Sequence, residues 1–258
     1  MPFVPRLLIA LVALSLPFQT AVALEMLDRI KATMSLTIAF APNSYPISFR
    51  GEDGEPNGYT VDLCRRIAAG IQRDLGLERL DLRWLEGNTP RRLAAVANGE
   101  ADLDCGTTTI NLQRQRVVDF SNIVFVESGG ILVASDSGLK ELSDLAGKKL
   151  GVIPQTTTER RLRATLGERL INAELVPVKD AKDGREQLDA GAIHALAGDR
   201  MVLIGQVAAA GEPERFSILD AEFSIDPYAL AMPRNQADFR LAVNRGLAQI
   251  YRTGEIDR

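Results

Sequence analysis

Short apolar runs of strand length alternate with helix-length amphipathic segments along most of the chain, and this alternation limits the fold more than any other feature of the 258 residues. Strands separated by helices pair in parallel, because the helix carries the chain back along the sheet. In the first half, "LTIAF" (36–40) and "LDLRWLEG" (80–87) read as strands, and "PISFRGEDGEPNGYT" (46–60) reads as a glycine-punctuated surface turn followed by a short strand. "VDLCRRIAAGIQRDLG" (61–76) puts apolar residues at 63, 64, 67, 68, 71 and 75, one helical face stopped by Gly76. Thr89 is expected to cap a helix that starts at Pro90, with Leu93, Val96 and Ala97 on its buried side. "ADLDCG" (101–106) then alternates Leu103 and Cys105 with two aspartates, as a strand does.

A second series opens at "IVFVESGGILVAS" (123–135), strand-like but expected to be broken by Gly129-Gly130. It continues as helix 139–147, strand 148–154, helix 159–167, strand 173–178, helix 184–192, strand 193–199 and helix 200–211. Two such series, parted near residues 125–130, predict two α/β lobes.

Hydrophobic residues make up 46% and charged residues 25% of the chain, so neither lobe lacks core material. A net charge of -4 gives no electrostatic case for nucleic acid. Residues 1–23 stand apart: Arg6, an apolar stretch from Leu7 to Phe18, and Ala21-Val22-Ala23 have the layout of a cleaved secretory signal peptide, too short in its apolar part for a membrane span. Removing them leaves 258 − 23 = 235 residues, soluble and exported. The compartment then allows a disulfide between the two cysteines, Cys64 and Cys105, although buried free thiols are the expectation here. Two cysteines and one histidine are too few for a Cys/His zinc site.

The two series share a device. "CGTTTINLQR" (105–114) and "GVIPQTTTER" (151–160) are strand ends that run into three threonines and then a charged segment. Ligands of open α/β sheets bind at such ends, where hydroxyls and the free N–H groups of a helix start attract anions. Arg114 adds a guanidinium that matches a carboxylate, and Asp199, closing "ALAGD", can receive an ammonium. One fixed cation and one fixed anion on separate lobes suit a zwitterion. Read on residues alone, the same features serve equally as a pair of helix caps and a solvated arginine.

"GYTVDLCRRIA", "ANGEADLDCGTTTINLQRQRVVDFS", "KELSDLAGKKLGVIPQTTTERRL" and "GREQLDAGAIHALAGDR" resemble the polar amino-acid family of periplasmic solute-binding proteins of ABC importers (extracellular solute-binding proteins, family 3). The likeness is greatest to the glutamate/aspartate-binding branch, through "CGTTTINLQRQ" and "VKDAKDGREQLDAG", and runs from about Leu36 to Ile256. It implies a type II two-lobed fold of mostly parallel sheets flanked by helices, joined by a two-strand hinge. Lobe 1 would comprise 24–126 plus 226–258, and lobe 2 would comprise 127–225. The expected activity is capture of a free amino acid by a monomer and delivery to a membrane permease, with no cofactor, metal or nucleic acid. The resemblance puts the α-carboxylate on Arg114, helped by Thr109 and Thr157, and the α-amino group on Asp199 and the region of Thr107; Thr156 is a further candidate ligand-binding residue. Thr89 and Arg92 match side-chain contacts of the branch; Thr89 also reads as a cap and Arg92 as a solvated residue. Read on their position beside the first strand, Tyr45 and Phe49 either wall the side-chain pocket or, as such aromatics more often do, simply pack.

Two departures stand out. The branch grips the distal carboxylate of its ligand with an arginine just after the first strand and a histidine in lobe 2, where this chain has Ala41 and Ala181. Unless Arg92 substitutes, an acidic ligand would be poorly matched, and a neutral polar or small apolar amino acid fits as well. The family also continues past "TGEI" into a further helix on lobe 1, which implies apolar surface left exposed there. The enzymatic competitor is a periplasmic cyclohexadienyl or arogenate-type dehydratase on the same fold. It would need a tuned acid–base group, whereas His194 reads as a core residue inside a strand, and Glu86 and Asp104 have no evident carboxylate partner. A receptor's sensing module is the third reading.

Overall fold

The computed structural model describes residues 25–254, so the expected signal peptide lies outside the described residues. Helix α1 (Met26–Thr33) precedes β1 (Ser35–Phe40), after which β2 (Asn43–Ser44), β3 (Ser48–Arg50) and β4 (Pro56–Asn57) form a small antiparallel sheet. Helix α2 (Tyr59–Asp74), β5 (Asp81–Glu86), α3 (Thr89–Ala97), β6 (Leu103–Asp104) and the long β7 (Asp119–Ala134) follow. The second series runs β8 (Lys149–Val152), α4 (Thr157–Glu168), β9 (Glu174–Pro177), α5 (Ala181–Asp189), β10 (Ala195–Asp199) and α6 (Arg200–Ala209). The chain closes with β11 (Phe216–Ile218), β12 (Ile225–Met232) and α7 (Ala237–Thr253).

The main sheet has the order β5-β1-β6-β12-β7-β10-β8-β9, with β11 also on β7. Its flanks are parallel, as the helix-separated strands require: β1 pairs with β5 and β6, and β8 with β9 and β10. Its centre is antiparallel around β7. The 16 residues of β7, roughly 50 Å of extended chain, serve both flanks. Asp119–Ser128 pairs with β12, and Gly129–Ala134 with β10 and β11. Gly129-Gly130 therefore does not break this strand. A Cβ at 129 would lie 2.6 Å from the Phe223 ring and one at 130 3.4 Å from Arg200, so these glycines admit close neighbours rather than a turn.

Each flank has its own core. Leu63, Cys64, Ile67, Ala68 and Ile71 of α2 are buried on the face that the apolar spacing marks out. They pack with Phe239, Val243, Leu247 and Ile250 of α7, where Gly246 lets the helices close up against Ile67. On the other flank, Leu150, Val152, Leu162, Leu166, Ala195 and Ala197 join Ile131 and Val133 of β7.

Four local expectations are corrected. Segment 139–147 forms only a 3-10 turn, Leu142–Leu145, closed by a capping box between Glu141 and Asp144 and ended by Gly147 at φ +72°. The cap of α3 is Asn88, whose Oδ1 accepts from Arg91 N at 3.1 Å, and Thr89 is already helical. His194 is exposed, one residue before β10, and its Nδ1 accepts from Lys149 N at 3.0 Å. Cys64 and Cys105 are not free thiols but a disulfide, with Cα atoms 6.4 Å apart. Helix α2 lies over the end of β6, which brings the two within reach, and no pattern in the sequence reports that packing.

Candidate functional site

The carboxyl ends of β1, β5 and β6 on one flank, and of β8 and β10 on the other, open onto a cavity of about 460 Å³. Thr89, Arg92, Thr107, Arg114, Thr156, Thr157 and Asp199 line it, so seven expected site residues converge on one space. Two do not. Thr109 is buried behind the wall, and Tyr45 is 40% exposed, its ring set edge-on to Phe49 at 4.8 Å. Ala41 and Ala181 do face the cavity.

Arg114 starts a short 3-10 turn after the threonine loop. Its Nη1 donates to the carbonyl of Thr109 at 2.6 Å and its backbone N–H to Asn111 Oδ1 at 2.8 Å, which aims the guanidinium. Burial depresses its pKa from the usual arginine value, with Asp104 opposing and Arg92 reinforcing the effect. Across the cavity, Asp199 stands between β10 and α6. It accepts from Tyr228 Oη and, at 3.1 Å, from Thr158 Oγ1. Burial pushes its carboxyl up to about 6 in spite of these two donors. A carboxylate that burial disfavours gains when a cation arrives to compensate it.

Arg92 is not solvated. Only 1% exposed, it donates Nε to Asp104 Oδ1 at 2.8 Å, Nη1 to the Gly87 carbonyl at 2.8 Å, and Nη2 to Thr89 and Thr108 hydroxyls at 3.2 Å each. Asp104, fully buried, also accepts from Gly106 N at 3.1 Å and Thr108 Oγ1 at 2.5 Å. A Cβ on Gly106 would meet the guanidinium at 2.4 Å, so glycine is required here for the loop to pass over Arg92. This network ties the start of α3 to the threonine loop, and the disulfide at Cys105 anchors the same loop to α2.

Thr156 caps α4, accepting from Glu159 N at 3.1 Å. Thr157 lies 3.0 Å from Thr109, hydroxyl to hydroxyl, and so bridges the flanks. Asn43 does the same twice: Nδ2 donates to Asp180 Oδ2 at 2.9 Å, and its carbonyl accepts from Gln206 Nε2 at 3.1 Å. Beside it, a Cβ on Gly205 of α6 would fall 2.0 Å from the carbonyl oxygen of Tyr45. These contacts close the cavity over.

Sequence reasoning missed Tyr228, Thr158 and a carboxylate pair at the centre of the molecule. Glu127 on β7 and Asp226 on β12 are direct cross-strand partners, 6% and 2% exposed. Desolvation pushes Glu127 up to about 7, with Asp199 and Asp226 adding to the effect and bonds from Ser128 N and Met201 N opposing it. Nothing in the local sequence marks these groups, because each lies on a different strand.

The sequence matches the family described as bacterial extracellular solute-binding proteins, family 3, over residues 36–258. It is 29% identical over 262 residues to an L-glutamate/L-aspartate-binding protein of Pseudomonas aeruginosa, covering 100% of this chain and 87% of that one. It is 26% identical over 232 residues to a glutamate/aspartate import solute-binding protein of Salmonella typhimurium, covering 90% and 77%. Among solved structures, it shares its fold with the ancestral amino acid-binding protein AncCDT-1, a precursor of cyclohexadienyl dehydratase. That match has a TM-score of 0.76 at 23% identity, over 90% of this chain and 96% of the other.

Proposed function

Since the chain belongs to the bacterial extracellular solute-binding proteins, family 3, we propose that it holds one free amino acid between its two lobes through Arg114 and Asp199 and yields it to the permease of an ABC importer. The relatives named above bind or import amino acids. The observation that carries the residue assignment is the pairing across the cavity of a guanidinium on the first flank with a carboxyl on the second. In this reading Arg114 takes the α-carboxylate, with Thr157 nearby, and Asp199, with the region of Thr107, takes the α-ammonium.

The lobes are 24–126 plus 226–258, and 127–225, moving about β7 and the segment entering β12. The ligand touches both lobes at once, so it stabilises the closed arrangement far more than the open one, and the closed form is what a permease would recognise. A micromolar ligand corresponds to about −8 kcal/mol. Two charge-assisted contacts at ~1.5–3 kcal/mol each, with several neutral hydrogen bonds, reach that order.

The protein acts as a binder rather than as a dehydratase, as a monomer, and is exported by removal of residues 1–23. Supporting the first point, the carboxyl raised toward neutrality in the cavity, Asp199, is already held by Tyr228 and Thr158 and faces the position of the ammonium. Calorimetric titration tests the assignment: Arg114→Ala should weaken amino-acid binding at least about 100-fold with an unchanged melting curve, as loss of one partner of a buried charge pair requires. Native affinity in that variant would refute it.

A further inference from the structure

The cavity carries more charge than one zwitterion needs, and what each charge does decides what kind of side chain it accepts. Arg50 forms an ion pair with Glu86, their side chains 46% and 56% exposed at the mouth. Arg92 is neutralised by Asp104, and four of its N–H groups are already donated inside the protein. Lys179 is exposed and sits next to Asp180, whose carboxylate caps α5 through Asp183 N at 2.9 Å and accepts from Asn43. Arg50 and Arg92 are thus ion-paired on their own side of the cavity, whereas exposed Lys179 is in no ion pair among the described residues. Arg114 and Asp199 stand on opposite sides of the cavity.

Beyond that pair the wall turns apolar. Ala41 and Ala181, buried residues, line it together with Leu196, Val202 and Leu203. Near Ala181, the side-chain Nδ2 of Asn43 donates to Asp180 and the Asn43 backbone carbonyl accepts from Gln206.

We infer that the side chain of the bound amino acid is uncharged. The inference rests on the reading that Arg114 and Asp199 hold the α-groups. An ionised side chain packed on this wall, of either sign, would be desolvated against apolar groups, away from the water that surrounds exposed Lys179, and desolvating an uncompensated charge is far costlier than desolvating an uncharged group. The space is large for a small side chain: cavities that hold compact organic ligands run from roughly 300 to 1,000 Å³, and this one measures about 460 Å³. Leucine-sized, aromatic or amide-bearing side chains fit the wall better than alanine or serine.

The test is calorimetric titration of the purified chain with glutamate, aspartate, lysine, arginine, glutamine, leucine, methionine and phenylalanine, each alone. The expected result is that one or more of the uncharged four binds at least about 100-fold tighter than any charged one. Glutamate, aspartate, lysine or arginine binding tightest would overturn the inference while leaving amino-acid capture intact. Binding of none of the eight would overturn both. Two variants sharpen it: Ala41→Arg and Ala181→Lys each place a cation in the apolar wall and should raise glutamate affinity at least about tenfold relative to glutamine. If both variants melt like the parent and neither changes that ratio, the side chain does not lie against this wall and the inference falls.

Discussion

The two faces of the cavity are built to different standards of rigidity. On the first, the loop bearing Thr107 and leading to Arg114 follows a disulfide to α2 and is sewn to α3 by the buried Arg92–Asp104 pair. On the second, Asp199 is held by one threonine of its own flank and by Tyr228, which belongs to β12 beside the long strand. The cation is therefore positioned by covalent and ionic bonds within one half, whereas the anion depends on how the two halves meet. Under the proposed function, pre-organising one face would lower the ordering cost of binding, and leaving the other conditional would let the ligand drive closure.

Removing the ionic bond should hurt most. Asp104→Ala would leave the Arg92 guanidinium buried without a counter-charge, and denaturant titration should show a loss of about 3–5 kcal/mol. The covalent bond comes next. Cys64→Ser combined with Cys105→Ser opens a link across a separation of 41 residues, which should cost about 2–4 kcal/mol in the same measurement. A smaller loss from either change than from an ordinary surface substitution would erase the contrast between the faces.

The conditional face should show itself in pH. Glu127 and Asp199 hold their protons more tightly folded, at about 7 and about 6, than as free carboxyls near 4.5 and 3.8. The stability they contribute is complete below about pH 4 and is lost as pH rises through about 6 to 7. Ligand-free protein should thus be less stable at pH 8 than at pH 5 by roughly 1–3 kcal/mol from these groups. Glu127→Gln should flatten part of that slope in thermal melts, and an unchanged slope would show that the carboxyls do not titrate there. Smallest in stability but selective for closure is Gly205→Ala. Its Cβ would collide with the Tyr45 carbonyl, so affinity should fall about tenfold, roughly 1.4 kcal/mol, with the melting temperature of ligand-free protein nearly unchanged.

Much of this was legible beforehand. Helix α2 lies where its apolar spacing places it, and β8, β9 and β10 fall within their apolar runs, because periodicity records which face of an element is buried. Thr107, Arg114, Thr157 and Asp199 could be singled out because each follows a strand end, and parallel strands bring such ends together. Glycine misled at 129–130, where it marks close packing against Phe223 rather than a break, since the two roles look alike in one dimension. Arg92 misled for a related reason: a helix-borne arginine reads as solvated until its buried partner twelve residues on is seen.

By itself the order of residues determined the alternation of strands and helices, the faces they bury and the strand ends that carry hydroxyls and charge, all of which are set by local periodicity and backbone chemistry. Tertiary structure alone decided that Cys64 meets Cys105, that Tyr228 reaches Asp199, that Glu127 opposes Asp226, and that Ala41 and Ala181 share a wall. Each is a contact between distant segments, and its energy depends on burial and on the partner that packing supplies, neither of which a local pattern encodes.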